Sequence, residues 1–318
     1  MIVSSRIAVV GCGVVGSSWA LVFARAGHQV AVYDQSPKAV DETMAFVRGA
    51  LKDLAAEGMA GKDSVTVTMA RLHPTTDLAE ALAGADYVQE SAPERLPIKI
   101  ELYKQLDSLA APGTILASST SGLPASSFTE GLANAQRCLV VHPINPPHLI
   151  PLVELVPAPW TDPAVIERAQ ALMKAVGQSP IRLTREINGF VVNRLQSAML
   201  GEAFRLVEDG ICSVQDVDKA VADGLGLRWF FMGPFETIDL NAAEGVAQYC
   251  KNLGPMYYGL AREQADAREW GPALVQSVEA QRRTLTSAAG LPQRRSWRDK
   301  CLAALVSAKR KVLAQHGD

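Results

Sequence analysis

The chain has 318 residues, 48% of them hydrophobic and 20% charged, with 31 lysines and arginines against 33 acids. That near-neutral balance excludes nucleic acid as the main ligand, and no apolar run reaches the ~18 uncharged residues of a membrane span. The length favours two domains over a single core. Five cysteines are scattered, with no CxxC pair and no histidine at metal-ligand spacing, so no metal site is expected. Dispersed thiols, and an N-terminus that enters a strand pattern without a basic leader or cleavage site, point to a cytoplasmic protein.

In chain order, Arg6–Val10, Gln29–Tyr33, Asp86–Glu90, Thr114–Ala117 and Cys138–His142 read as strands. Helix-length segments Ser17–Ala26, Pro37–Glu57, Asp77–Leu82 and Glu94–Leu109 lie between them. Pro151–Pro157 is a further strand candidate, and the Asp-Pro pair at 162–163 opens a helix to Val176. This alternation predicts an α/β fold, a Rossmann-type doubly wound sheet. After Arg185 the rhythm changes: Gly189–Glu208, Val214–Ala222 and Pro234–Lys251 read as helices and nothing later as a strand. The expected division is therefore 1–187 for the sheet domain and 188–318 for a second, all-α domain.

The first strand runs into Gly11-Cys12-Gly13-Val14-Val15-Gly16, and a helix follows. Glycines there permit a tight turn, close approach of a pyrophosphate, and packing of the helix on the strand. The helix N-terminus offers unpaired N–H groups to phosphate. Asp34 ends the second strand 18 residues after Gly16, near the ~20 expected of an acid that binds the adenosine ribose. An aspartate repels a 2′-phosphate, so NAD is expected rather than NADP.

His142 ends the fifth strand, on the sheet edge where such folds bind ligands, and histidine exchanges protons near neutrality. Glu154 lies among Val153, Leu155 and Val156, where a carboxylate needs a partner that a nearby histidine would supply. From these residues alone a catalytic histidine and a satisfied structural one stand level.

The motifs GCGVVG, VYDQ, SSTSGLP, VVHPINPPHLIPLVELV, NGFVVNRL and MGPFE together resemble the L-3-hydroxyacyl-CoA dehydrogenase superfamily over nearly the whole chain. HPINPPHLIPLVELVP, EAFRLVEDGI, GLGLRWFFMGPFET and RRSWRDKCL are most similar to its lambda-crystallin, or L-gulonate 3-dehydrogenase, branch. The resemblance implies His142 as general base, Glu154 as its orienting partner, and Ser121 and Asn193 as hydrogen-bond donors to the reacting oxygen. It implies cofactor contacts at Glu94, Lys99, Ser119 and Asn145 besides the glycine loop and Asp34, and a homodimer through the helical domain. Arg228, in the apolar run Gly224–Met232, is expected to grip the carboxylate of a small hydroxy acid. Two alternatives remain: a short-chain 3-hydroxyacyl-CoA dehydrogenase, with Lys38 at a coenzyme A contact, and a structural dinucleotide-binding protein like the lens crystallins.

Overall fold

The computed structural model describes residues 5–317. Their strands form one sheet: β1 (Arg6–Val10), β2 (Gln29–Tyr33), β3 (Leu72–Thr75), β4 (Tyr87–Glu90), β5 (Ile115–Ser118), β6 (Cys138–Pro143), β7 (Leu152–Pro157) and β8 (Ser179–Arg182). The spatial order is β3-β2-β1-β4-β5-β6-β7-β8. Neighbours run parallel except β6 and β7, which are antiparallel. Connecting helices are α1 (Val14–Arg25), α2 (Pro37–Ala56), α3 (Val65–Met69), α4 (Leu78–Leu82), α5 (Leu96–Leu109), α6 (Ser126–Thr129) and α7 (Pro163–Ala175). The order reverses between β1 and β4, which opens a crevice at their C-terminal ends.

Strand composition follows from burial on both faces. In β1, Ile7 and Val9 join one apolar cluster with Trp19, Phe23 and Leu51, while Ala8 and Val10 join a second with Tyr103 and Leu106. Helix starts are marked chemically: Ser36 and Asp162 accept N–H bonds from Ala39 and Ala164, each with proline next in the chain. β3 and β8 were not anticipated. Both are four-residue edge strands containing a proline, Pro74 and Pro180, which removes the periodic signal that betrays a strand.

The second part is helical: α8 (Val192–Glu208), α9 (Val214–Lys219), a π-helical segment Ala220–Leu225, α10 (Gly226–Trp229), α11 (Pro234–Leu240), α12 (Val246–Glu263), α13 (Pro272–Leu285) and α14 (Leu291–His316). α12 continues through Pro255 past the expected end at Lys251. By compactness one unit extends to Val192 and regains the chain from Arg298, while Asn193–Trp297 forms the other. The end of α14 explains that return. Ala303 is buried in the core of the first unit, Leu302 and Val306 pack against it, and Ser307 donates to the Glu57 carbonyl at 3.1 Å.

The segment after β6 is tied down by His148, which is buried and whose Nδ1 lies 3.1 Å from Ser18 Oγ. Ser18 donates to the Val14 carbonyl, so Nδ1 carries the proton and donates to Ser18. Burial, then the charge of Arg25, lowers the imidazole from 6.5 to about 4; Asp299 opposes this and Arg298 adds to it. Between those values the unfolded chain holds the extra proton. The His148 contribution is thus complete above about pH 6.5 and lost as pH falls toward 4, at up to about 1.4 kcal/mol per unit. The expected outcome for His148→Gln is a urea midpoint that changes less between pH 6.5 and 4.5 than that of the parent, measured by circular dichroism.

Candidate active site

The turn after β1 is built by close approach. Gly11 has φ of +102°, and a Cβ on it would lie 2.7 Å from the Ser91 carbonyl oxygen. A Cβ on Gly16 would fall 1.8 Å from the Gly11 oxygen, whereas one on Gly13 meets nothing within 4 Å. Gly11 and Gly16 therefore close the turn, and Gly13 leaves open space beside the start of α1 for a pyrophosphate. Asp34 braces the loop from β2, accepting from the amides of Cys12 and Ser36 at 2.9 Å each. A cavity of 890 Å³ opens here, lined by Gly11, Gly13, Asp34 and Gln35 on one side and Pro97, Ile98 and Leu102 on the other. An apolar slot beside an acid and an open glycine fits the adenosine and pyrophosphate of NAD. Val14 and Val15 begin α1, and Val15 lines the adjoining smaller cavity.

That second cavity, of 220 Å³, holds the catalytic candidates: Ser91, Glu94, Ser119, Ser121, His142 and Asn145 line it. The antiparallel register of β6 and β7 sets His142 directly opposite Glu154, and His142 Nδ1 lies 2.7 Å from Glu154 Oε2. Glu154 is fully buried and His142 nearly so. Its other oxygen, Oε1, accepts from the amides of Val191 and Val192, at 2.8 and 3.1 Å, at the start of α8. Burial alone would raise this carboxyl. The bonds from His142, Val191 and Val192 outweigh burial and hold it below the usual carboxylate range. A carboxylate can only accept, so Nδ1 carries the proton and Nε2 is left as the base. Phe190, buried at a φ of +50°, packs its ring 5.6 Å from that of His142 and turns the chain so that both amides reach Glu154.

Glu94 organises the serine loop. Its Oε1 accepts from the Thr120 hydroxyl and from the amides of Ser121 and Gly122, at 3.2 and 3.3 Å. Lys99 lies elsewhere than the resemblance implied. It lines neither cavity; its ammonium is buried against Glu90 Oε1 and Oε2, at 2.9 and 3.0 Å. Glu90 also accepts from the Ala92 amide at 2.7 Å and the Ser118 hydroxyl at 2.5 Å, so the pair fastens the turns after β4 and β5 under the cofactor cavity. Asn193 and Arg228 belong to the second unit: Asn193 stands in the first turn of α8, half-buried, and Arg228 in α10, exposed. Its apolar neighbours therefore do not impose the expected burial cost. Sequence reasoning passed over Gln89, Glu90, Ser91, Thr120 and Phe190. Two consecutive polar residues closing the otherwise apolar strand Tyr87-Val88-Gln89-Glu90 were the available signal.

Residues 6–187 match the family described as 3-hydroxyacyl-CoA dehydrogenase, NAD binding domain, and residues 189–291 match its C-terminal domain. The chain belongs to the 3-hydroxyacyl-CoA dehydrogenase family. It is an NAD-dependent dehydrogenase acting on a CH–OH group. It is 41% identical to lambda-crystallin of Oryctolagus cuniculus over 96% of this chain and 97% of that one. It is 40% identical to an L-carnitine dehydrogenase of Streptomyces griseus over 79% and 74% of the two chains. Among solved structures, 5-formyl-3-hydroxy-2-methylpyridine 4-carboxylic acid 5-dehydrogenase superposes with a TM-score of 0.81 at 27% identity, covering 97% and 99% of the chains.

The buried ion pair is sensitive to one-sided removal. Lys99→Met would strand the Glu90 charge in a dry site, and the expected cost is about 3–5 kcal/mol of stability. Adding Glu90→Gln is expected to recover most of that loss, as read from denaturant melts of both variants.

Proposed function

We propose that the protein oxidises the 3-hydroxyl of a small L-3-hydroxy acid of the L-gulonate type, with NAD as hydride acceptor. The observation that carries this reading is the 2.7 Å contact of His142 Nδ1 with Glu154, on the rim of a cavity shared with Ser121. Glu154 holds the imidazole in one tautomer and stabilises the imidazolium. His142 Nε2 takes the hydroxyl proton, and Ser121 and Asn193 donate to the oxygen as its charge changes. NAD accepts the hydride when bound, while the protein supplies orientation and proton transfer.

For the substrate, Arg228 is exposed and no ion pair engages it among the described residues, which leaves its planar fork for a carboxylate. Similar proteins act on L-carnitine and on a pyridine 4-carboxylic acid, while others are named for acyl-CoA thioesters, so it is the exposed Arg228 that favours a free acid. Within Asn193–Trp297 only Val214 and Thr237 are buried, and Ile211, Leu227, Phe235 and Tyr258 are each at least 68% exposed. A second copy of the chain is the partner we assign to that apolar surface. Five unpaired cysteines support a cytoplasmic setting.

NAD reduction would be followed with L-gulonate, L-carnitine, 3-hydroxybutyrate and 3-hydroxybutyryl-CoA. We expect turnover of a free acid, and His142→Ala to abolish it, at least a thousandfold in kcat, with NADH binding retained. A His142→Ala protein near parental rate would overturn the role of the base. Arg228→Ala is expected to raise KM for the free acid about tenfold or more, equivalent to one charge-assisted bond of about 1.5–3 kcal/mol. An unchanged KM would remove Arg228 from the substrate site.

A further inference from the structure

A second polar chain runs beneath the catalytic cavity, and the His142–Glu154 pair takes no part in it. The Tyr87 hydroxyl donates to Gln89 Oε1 at 2.6 Å. Gln89 Nε2 donates to Ser119 Oγ at 2.7 Å and to the Val141 carbonyl at 3.3 Å. Ser119 Oγ then lies 3.0 Å from Ser91 Oγ. Tyr87 and Gln89 are sealed from solvent, whereas the two serines are half-exposed and line the cavity that holds His142. A valine at position 89 would fill a parallel sheet without the cost of burying an amide. The glutamine reaches across three strands, β4, β5 and β6.

Every hydrogen bond in this chain has a fixed direction except that between the two serines, where either hydroxyl can donate. A carbonyl oxygen only accepts, so the Val141 contact identifies the nitrogen end of the Gln89 amide. Tyr87 must then donate to the oxygen end, and Ser119 must receive one of the two amide protons. The serine pair has two hydroxyl protons and one bond between its oxygens. One proton is always left over, and among the described residues no protein acceptor takes it.

The position of the pair says what it addresses. Ser91 and Ala92 line both the 890 Å³ cavity over the glycine loop and the 220 Å³ catalytic cavity. A dinucleotide seated on Gly13 and Asp34 whose reactive end meets His142 must pass this junction. We propose that the Tyr87–Gln89–Ser119–Ser91 chain positions the nicotinamide ring, its spare hydroxyl proton going to the carboxamide oxygen. Gln89 touches no ligand and is a positioning residue. By donating to Ser119 and taking no proton from the pair, it orients the serines with the spare proton free for the ligand, so the carboxamide settles in one rotamer and the ring offers one face to the substrate. The inference rests on the function proposed above only in taking the cavity beside His142 as the reactive end.

The test compares NADH with ADP-ribose, which shares the adenosine and pyrophosphate but lacks the nicotinamide, by titration calorimetry on the full chain. Gln89→Leu and Ser91→Ala are each expected to weaken NADH about three- to tenfold, the worth of one hydrogen bond, and to leave ADP-ribose within twofold. Ser91→Thr, which restores the hydroxyl, is expected to bind NADH within twofold of the parent. Equal losses on both ligands would make the chain a strut for the glycine loop and overturn the proposal. Unchanged affinity for both would overturn it as well. So would a raised KM for the hydroxy acid with NADH affinity intact, which would assign the donor to the substrate. Ser91→Ala, half-exposed, keeps the comparison available should Gln89→Leu fail to fold. A parent protein inactive on every hydroxy acid would refute the proposed function and leave this binding contrast to be read.

Discussion

One carboxylate, that of Glu154, serves two partners at once. Oε2 receives the Nδ1 proton of His142, and Oε1 receives the amides that begin α8. Both tasks need an ionised group in a buried place, and the three donors together keep it ionised against the pull of burial. The consequence is that the tautomer of the histidine and the starting point of the long helix are set by the same atom pair. A change that disturbs either partner reaches the other within one residue.

The crevice above the sheet is supported by buried polarity in two layers. The Glu90–Lys99 pair fastens the turns at 90–92 and 118–120, and the Gln89 chain reaches across three strands to the serines beside them. In a low-dielectric interior such groups are costly alone and stiff when satisfied. Gln89, Glu90, Ser118 and Ser119 stand at or just beside the C-terminal ends of β4 and β5, next to the point where strand order reverses. Rigidity is therefore concentrated where a dinucleotide must be held and a hydride aimed.

The two compact units differ in how they keep out water. The first has apolar clusters on both faces of its sheet and recovers the end of α14 into one of them. The second has almost no interior of its own, and its large side chains are spread over the surface. A helical region of that composition needs another surface to complete it, which is the physical basis for assigning it a second copy.

By itself the sequence determined the alternation of strands and helices, the glycine turn with Asp34, the NAD cofactor and the pairing of a histidine with a glutamate. Each of those is written in local patterns: periodicity, spacing from a glycine, helix-starting residues, or a charged residue stranded among valines. Short edge strands were not legible, because Pro74 and Pro180 interrupt the period they would otherwise show. Tertiary structure decided that Lys99 is an internal counter-ion, that Phe190 turns backbone amides onto Glu154, and that Gln89 and Ser91 join the site. It also decided that the chain returns from the helical unit to the first core. These depend on which side of a strand faces which neighbour across tens of residues, information that exists only once the sheet is assembled. The reading of the glutamate as a partner for the histidine needed only its apolar neighbours; that the same carboxylate also receives a helix needed the fold.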